Sequence, residues 1–219
     1  MIRNIIFDFD GVLVDSEVLA GRTFSQYLAR QNINLSEQEF SITYAGNKLI
    51  EVVSKLSSRF NIKNKKIFFD DIMTLAHTIY TNDLTAVSGV KKFLDIIHQK
   101  KLIGSNSRKQ RIIDGLKKVN LYKYFNEKDI FSFDMVKNPK PKPDIYLAAI
   151  DNTGIKSNDT VIIEDSIIGV RAGVEANIKV IGVTSGEHWL GRSSKSLQEA
   201  GVYAVANNFE EVLKLIEDL

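Results

Sequence analysis

The first apolar run of the chain ends in two carboxylates, in the stretch Ile2-Arg3-Asn4-Ile5-Ile6-Phe7-Asp8-Phe9-Asp10-Gly11-Val12-Leu13-Val14-Asp15-Ser16. Residues 2–7 are mostly β-branched or aromatic, as in a strand that is buried on both faces. Asp8 then lies at the carboxyl end of that strand, where open α/β sheets bind their ligands. Burying two carboxylates, separated by one residue, at the end of a strand costs free energy unless a cation lies nearby. The stretch therefore predicts a divalent metal site at Asp8.

Composition narrows the class of protein. The chain has 219 residues, 44% of them hydrophobic, enough for one sizeable core or for a core with a smaller appended domain. Its formal net charge is +2 and its basic clusters are short and scattered, so we expect no nucleic-acid partner. The absence of cysteine excludes disulfides and thiolate zinc sites. No apolar run reaches membrane-spanning length and the first strand follows Met1 directly, so we expect a soluble, cytoplasmic monomer without a membrane partner.

Residues 16–84 carry apolar residues at helical spacing, with no convincing strand among them. We assign three stripes to three helices: Ala20, Phe24, Tyr27 and Leu28; Leu49, Val52, Val53, Leu56 and Phe60; Phe68, Ile72, Leu75 and Ile79. The pattern predicts a small helical domain at 16–84, inserted into a core formed by residues 1–15 and 85–219.

From residue 85 onwards, short β-branched runs alternate with helical patterns. The predicted strands after the first cover residues 102–104, 130–133, 160–163, 179–184 and 202–206. Strands that alternate with helices are joined by right-handed crossovers and run parallel. We therefore expect an α/β fold with a Rossmann-like, doubly wound parallel sheet.

Four of the predicted strands or the loops that follow them carry chemically matched groups. In chain order these are Asp8 with Asp10, Ser105 with Asn106, Lys140, and Glu164 with Asp165. Because parallel strands end at the same edge of a sheet, we expect all four groups to converge on one ligand. The pattern suits a phosphoryl group, which needs a nucleophile, cations and hydrogen-bond donors around it.

Each group has a natural role in phosphoryl transfer. Asp8 can act as the nucleophile and form an acyl-phosphate, while Asp10 protonates the leaving oxygen and later deprotonates water. Ser105 and the following amide can donate to phosphate oxygens, and Lys140 offers a positive charge to Asp8 and to the transferred group. Asp165 completes the shell of a Mg²⁺ ion, with Glu164 as a second or outer ligand. No histidine or cysteine stands at these strand ends, which favours Mg²⁺ over zinc.

Every one of these motifs also has a purely structural interpretation. The first acidic pair suits a solvated turn, the Ser-Asn-Ser run and the Glu-Asp-Ser run suit helix starts, and Lys140 alone suits the surface. Their order at successive strand ends favours catalysis, because independent capping residues have no reason to follow it.

Together these motifs resemble the haloacid dehalogenase superfamily, in the branch with a small helical cap inserted between its first two motifs. Asp8 to Glu17, Ser105 to Ser107, Lys140 to Asp144 and Glu164 to Ser166 with Gly169 and Gly173 match the four family motifs in turn. The resemblance implies a phosphoaspartate on Asp8, a Mg²⁺ ion held by Asp8, the Asp10 carbonyl and Asp165, and a cap that opens and closes.

Within this family, Asp10 argues against dehalogenation, because the dehalogenases proper lack that second aspartate. Two interpretations stay open: a phosphatase for a small phosphorylated metabolite, such as a sugar phosphate, and a mutase resembling β-phosphoglucomutase. A retired enzyme that only senses phosphorylated metabolites is a third. By resemblance, Lys48 is a candidate for substrate binding from the cap, although it also suits a solvated first helical turn.

The three histidines are expected to have surface or packing roles and not to bind a metal. None of His77, His98 and His188 has a carboxylate or histidine partner at ligand spacing in the sequence, so surface or packing roles are expected. Trp189 is likewise expected to be a packing residue.

Overall fold

The computed structural model describes residues 1–44 and 49–219, which form two compact units. One unit combines Met1–Asp15 with Thr85–Leu219, and the other consists of Ser16–Leu84. The two points at which the chain leaves and re-enters the first unit are adjacent, since the Asp15 amide donates a hydrogen bond to the Thr85 carbonyl at 2.9 Å.

The first unit is built on one six-stranded sheet in which every pair of neighbours is parallel. The strands are β1 (Asn4–Phe7), β2 (Lys100–Ser105), β3 (Ile130–Ser132), β4 (Thr160–Glu164), β5 (Lys179–Val183) and β6 (Ala204–Ala206). Their spatial order is β3-β2-β1-β4-β5-β6, so the chain builds the sheet outward from β1 in both directions. Where the strand order changes direction in this way, a crevice forms beyond the carboxyl ends of the central strands. The predicted α/β fold with a doubly wound parallel sheet is confirmed.

The helices fall into two groups, one in each unit. Within the described residues they are α1 (Glu17–Ala29), α2 (Glu37–Tyr44), α3 (Leu49–Arg59), α4 (Lys65–Asp83), α5 (Val90–Ile96), α6 (Lys109–Lys118), α7 (Asp144–Thr153), α8 (Ile167–Glu175), α9 (Lys195–Ala200) and α10 (Phe209–Glu217). Tyr146 of α7 and Val170 of α8 share one buried cluster with Ile6 and Ile162 of the sheet. None of the described helices has the length and apolar character needed to cross a bilayer.

The described residues of the second unit form four helices, where the sequence predicts three. The additional one, α2, has only Phe40 and Tyr44 as buried residues, too few to make a visible stripe in the sequence. It begins where the Ser36 hydroxyl oxygen accepts a hydrogen bond from the Glu39 amide at 3.0 Å. The Phe40 ring then stacks on Phe24 of α1 with ring centroids 4.8 Å apart, so tertiary packing holds this short helix.

Four strands are shorter than the sequence predicts: the first begins at Asn4 and the fifth ends at Val183. The third ends at Ser132 because residues Phe133–Met135 turn into a 3₁₀-helix, and the last begins at Ala204. An apolar run can continue beyond the residues that pair with a neighbouring strand. Hydrophobic character alone therefore overestimates the length of a strand.

Candidate active site

Asp8 follows strand β1 directly and lies at the carboxyl edge of the sheet. The register pairs Phe7 with both Ile103 of β2 and Ile163 of β4, and the Asp8 amide extends the ladder by donating to the Ile163 carbonyl at 2.9 Å. Asp8 is therefore fixed by the backbone of the central strand and is buried. The acidic pair that ends β4 lies beside it for the same reason.

Lys140 joins these two strand ends. Its Nζ lies 2.7 Å from Asp8 Oδ1 and 2.7 Å from Glu164 Oε1, and its side chain is only 2% exposed. The ammonium also lies 4.8 Å from the centre of the Tyr146 ring, a cation–π contact. Taken alone, the sequence around Lys140 suits an exposed lysine. In the structure, Lys140 is a buried cation between two carboxylates.

Asn106 holds the main chain of that lysine. The Asn106 side-chain amide donates to the Lys140 carbonyl at 3.1 Å, and the Lys140 amide donates to Asn106 Oδ1 at 3.0 Å. These reciprocal bonds occupy both ends of the Asn106 side chain. What Asn106 can offer a phosphate is therefore its backbone amide, while its side chain positions Lys140.

Glu164 has hydrogen bonds on both carboxylate oxygens. Besides Lys140, Oε1 accepts a bond from the Tyr146 hydroxyl at 3.2 Å, and Oε2 accepts from the amides of Asp165 and Ser166, each at 2.8 Å. The Ser166 hydroxyl adds a bond to Oε2 at 3.0 Å. A side chain at Gly169 would collide with this carboxylate, since its Cβ would lie 1.5 Å from Oε1. Helix α8 can start directly over Glu164 only because residue 169 is glycine.

Three buried carboxylates stand close enough to share a cation. Asp8, Glu164 and Asp165 each offer a ligand oxygen, and these oxygens lie within 4.8 Å of one another. The single ammonium of Lys140 compensates one of their three negative charges. The donors are all hard oxygens, which suit Mg²⁺, and the remaining negative charge matches a divalent ion. The residues present therefore fit the metal that the sequence predicts.

Burial and charge shift the pKa values in this cluster. Burial raises the pKa of Asp8 well above its usual range, even though the neighbouring Lys140 ammonium lowers it. For Lys140, burial lowers the pKa, but the attraction of Asp8 and Glu164 outweighs it and raises the pKa well above the ordinary value. Lys140 is therefore an ammonium at any physiological pH.

Asp10 lies in a more open part of the edge. Its Oδ2 accepts a short hydrogen bond from the Ser107 hydroxyl, and its Oδ1 lies 3.0 Å from Nη2 of Arg111. Ser105, at the end of β2, is buried, and its Oγ accepts a bond from the Ser107 amide at 3.1 Å. That bond leaves the Ser105 hydroxyl proton available for another acceptor.

Two of these neighbours were not predicted from the sequence. Arg111 stands on α6 and reaches Asp10 across 101 residues of chain, and Tyr146 reaches Glu164 from α7. Arg111 lies in the first turn of α6, and no pattern in the sequence links it to Asp10.

His188, for which a surface or packing role is expected, has a carboxylate partner in the structure. Its Nε2 lies 3.0 Å from Asp165 Oδ2, and the two side chains are 8% and 5% exposed. The two residues are far apart in sequence, so ligand spacing could not reveal the contact. Trp189 packs against the sheet cluster, as expected. Lys48 lies outside the described residues.

Comparison with known proteins decides the family. Residues 5–183, most of the chain, match the model of haloacid dehalogenase-like hydrolases. The chain belongs to this family. The match confirms the resemblance inferred from the four motifs.

Relatives of this haloacid dehalogenase-like hydrolase include phosphatases. The chain is 27% identical to a phosphorylated carbohydrates phosphatase of Thermotoga maritima, with 98% of both chains covered. Its structure is similar to that of a haloacid dehalogenase-like protein of unknown function from Agrobacterium tumefaciens, with a TM-score of 0.88, 30% identity and coverage of 100% and 99%. It is also similar to a Thermotoga maritima protein provisionally assigned as a β-phosphoglucomutase, with a TM-score of 0.82, 26% identity and both chains fully covered at 100%. The chain is thus an enzyme of the hydrolase type.

Proposed function

We propose that this haloacid dehalogenase-like hydrolase is a Mg²⁺-dependent phosphatase that hydrolyses a small phosphorylated metabolite, a sugar phosphate by class, through a phosphoaspartate on Asp8. One observation carries the proposal: Asp8 is buried at the end of the central strand, 2.7 Å from the ammonium of Lys140 and within a cluster of three carboxylates. A buried carboxylate with an adjacent fixed cation and an excess of negative charge suits a nucleophile that works beside a divalent ion.

The metal would be held by the carboxylates of Asp8 and Asp165 and the main-chain carbonyl of Asp10. When bound, Mg²⁺ neutralises negative charge on the carboxylates and on the phosphate, which reduces the repulsion between nucleophile and substrate. The five hydrogen bonds on the oxygens of Glu164 support an outer position for this residue. Glu164 then serves mainly to hold Lys140 toward Asp8.

The reaction takes two displacements. In the first, an Asp8 carboxylate oxygen bonds to phosphorus as the bond to the leaving oxygen breaks, and Asp10 gives that oxygen a proton so that it departs as an alcohol. In the second, a water oxygen bonds to phosphorus and gives a proton to Asp10, while the bond between phosphorus and Asp8 breaks. Inorganic phosphate is released, Asp8 is again a carboxylate, and Asp10 again carries the proton with which it began the cycle.

The phosphate is held by donors at the end of β2 and by Lys140. The Ser105 hydroxyl and the Asn106 amide donate to its oxygens, and the Lys140 ammonium attracts it electrostatically. Arg111 and Ser107 orient Asp10 through the contacts described above.

The helical unit of residues 16–84 acts in this proposal as a cap, and residues 1–15 with 85–219 form the catalytic core. Such a cap limits the access of bulk water to the reacting groups and contributes to the choice of substrate. Lys48 is the proposed cap residue for a second anionic group of the substrate. We further propose a cytoplasmic monomer.

Mutase activity of the β-phosphoglucomutase type is the second candidate. It is favoured by the similarity to the provisionally assigned mutase of Thermotoga maritima over the whole chain. Both reactions use the same two aspartates and differ in whether water or a second substrate hydroxyl accepts the phosphoryl group.

Release of phosphate from p-nitrophenyl phosphate, with and without Mg²⁺, tests the proposal. We expect turnover that needs Mg²⁺ and falls at least about 10³-fold in Asp8→Asn, because the nucleophile is lost. Asp151→Asn, an exposed change on α7, is the matched control and leaves turnover unchanged. A panel of phosphorylated sugars, sugar acids and nucleotides then identifies the substrate class.

Other results would contradict the phosphatase. Interconversion of phosphosugar isomers that needs a bisphosphate primer and releases little phosphate would establish the mutase. Tight binding of phosphorylated metabolites without any turnover would establish a sensor. Full activity of Asp8→Asn would exclude the proposed intermediate.

A further inference from the structure

We infer that His188 is a positioning residue for the metal site: its ring holds the Asp165 carboxylate, and Asp15 holds the turn that carries His188. The inference rests on the proposed function, since it concerns the residue that would bind the metal.

The contact between His188 and Asp165 is the first step. The 3.0 Å distance from Nε2 to Oδ2 is that of a hydrogen bond, and both side chains are almost completely buried. A hydrogen bond on one oxygen restricts rotation of the carboxylate. Carboxylates that bind metals commonly have such a partner, and its loss lowers metal affinity by about 10- to 100-fold.

His188 supports the site and is not one of its ligands. Among the described residues, the ligand atoms that lie within 4.8 Å of one another belong to Asp8, Glu164 and Asp165, and no histidine is in that group. A hard divalent ion also prefers oxygen to imidazole nitrogen. The ring therefore acts on the metal through Asp165.

The turn that carries His188 packs against the first motif. His188 lies in the 3₁₀-helix Glu187–Trp189, and a Cβ at Gly186 would lie 3.2 Å from the Gly11 carbonyl oxygen. A Cβ at Gly11 would in turn lie 2.0 Å from Asp165 Oδ2. The turn, the backbone after Asp10 and the metal-binding carboxylate are thus in mutual contact, which leaves little freedom for the His188 ring.

Asp15 fixes the turn from the other side. Its Oδ2 accepts a hydrogen bond from the Glu187 amide at 3.1 Å, 172 residues away in sequence. Asp15 is buried, and in the described part of the chain its Oδ1 has no hydrogen-bond partner. Burial of a half-satisfied carboxylate is unfavourable. What Asp15 contributes in return is the hydrogen bond that holds the turn carrying His188.

Calorimetric titration of the metal-free protein with Mn²⁺ tests the inference without relying on activity. The variants are His188→Leu, which removes the donor, and His188→Gln, which places an amide donor close to the position of Nε2. His98→Leu is the matched control, because His98 is exposed and precedes β2, at the opposite edge of the sheet. We expect the Mn²⁺ dissociation constant to rise at least about 10-fold in His188→Leu. Values within about threefold of the unchanged protein are expected for the other two variants.

Variants of Asp15 provide a second measurement. It tests the inference if circular dichroism shows that His188→Leu does not fold. Asp15→Ala removes the acceptor of the Glu187 amide, while Asp15→Asn keeps an acceptor oxygen. We expect weaker Mn²⁺ binding in Asp15→Ala than in Asp15→Asn.

Each result bears on one proposal or the other. If the unchanged protein binds no Mn²⁺, the proposed metal site itself fails, and the inference fails with it. If it binds Mn²⁺ and His188→Leu binds equally well, only the role of His188 is overturned. Equal losses in His188→Leu and His188→Gln would also overturn it, because the ring shape and not the donated hydrogen bond would then matter.

Discussion

Lys140 and Glu164 form an ion pair of 2.7 Å in the protein interior, with side chains that are 2% and 0% exposed. Glu164 comes from the end of β4, so the pair fixes the lysine relative to the sheet and directs it at Asp8. The remaining hydrogen bonds on Glu164 come from Tyr146, Asp165 and Ser166, which restrict its carboxylate in turn. Asp8, Lys140, Glu164 and the backbone of Asp165 are therefore parts of one hydrogen-bonded network.

Removing the ammonium from this network should destabilise the fold. Lys140→Met leaves two buried carboxylates without their cation, and we expect the free energy of unfolding to fall by about 3–5 kcal/mol. Urea unfolding in the presence of a chelator measures it. Lys142→Met is the control two residues away: Lys142 pairs with Glu175 at 3.2 Å on the surface, so its loss should cost less than about 1 kcal/mol. Equal effects of the two variants would contradict the assigned network.

Gly169→Ala should also destabilise the protein, although alanine is the better helix former. In a helix the change alone would contribute up to about 1 kcal/mol of stability. Here the added Cβ would lie 1.5 Å from Glu164 Oε1, which forces the carboxylate away from Lys140. We expect a net loss of stability and of turnover, measured by thermal unfolding and phosphate release.

The comparison for that prediction is Gly191→Ala. Apart from its two chain neighbours, no described residue has an atom within 4 Å of a Cβ at residue 191, so its φ of +74° is what opposes alanine, at about 1–2 kcal/mol. Turnover should stay normal in this variant. A fully active Gly169→Ala protein would show that the carboxylate can move without consequence.

Replacing Asp15 by asparagine should stabilise the protein at neutral pH. Burial raises the pKa of Asp15, while the Glu187 amide and the nearby His188 lower it less strongly. The folded protein therefore binds the Asp15 proton more tightly than the unfolded chain, whose pKa is about 3.9. Stability is consequently lost as the pH rises from the unfolded pKa through the folded one.

An asparagine side chain does not titrate, so the Asp15→Asn variant avoids that loss and still accepts the Glu187 hydrogen bond. We expect its melting temperature to exceed that of the unchanged protein at about pH 7 and the difference to shrink toward about pH 4. The exposed change Asp151→Asn should show no such trend. A difference that grows on acidification would mean that Asp15 is stabilised as an anion.

If the ion binds as proposed, Mg²⁺ should raise the thermal stability of the protein through the carboxylates of Asp8 and Asp165. A ligand present at about 100 times its dissociation constant adds about 2.7 kcal/mol to the free energy of unfolding. Asp165→Asn removes one proposed ligand and should abolish most of this gain in a thermal melt with and without Mg²⁺. An undiminished gain in that variant would place the ion elsewhere.

Much of the architecture could be predicted from the sequence because the relevant signals are local. The apolar run before Asp8 and the β-branched run before Glu164 identify buried strands by themselves, and alternation with helices implies that these strands are parallel. Parallel strands share an edge, which is why two acidic residues so distant in sequence could be expected in one place. The short helix Glu37–Tyr44 escaped notice because it depends on contacts with α1 and not on a periodic stripe of its own.

Tertiary structure alone decided how the side chains pair within that edge. No pattern in the sequence says that Lys140 also pairs with Glu164, that Arg111 reaches Asp10, or that His188 contacts Asp165. These contacts depend on the path of the loops after the strands and on the direction of each side chain. Periodicity records which face of an element is buried, whereas the partner of a charged group is set by packing between segments that are distant in sequence.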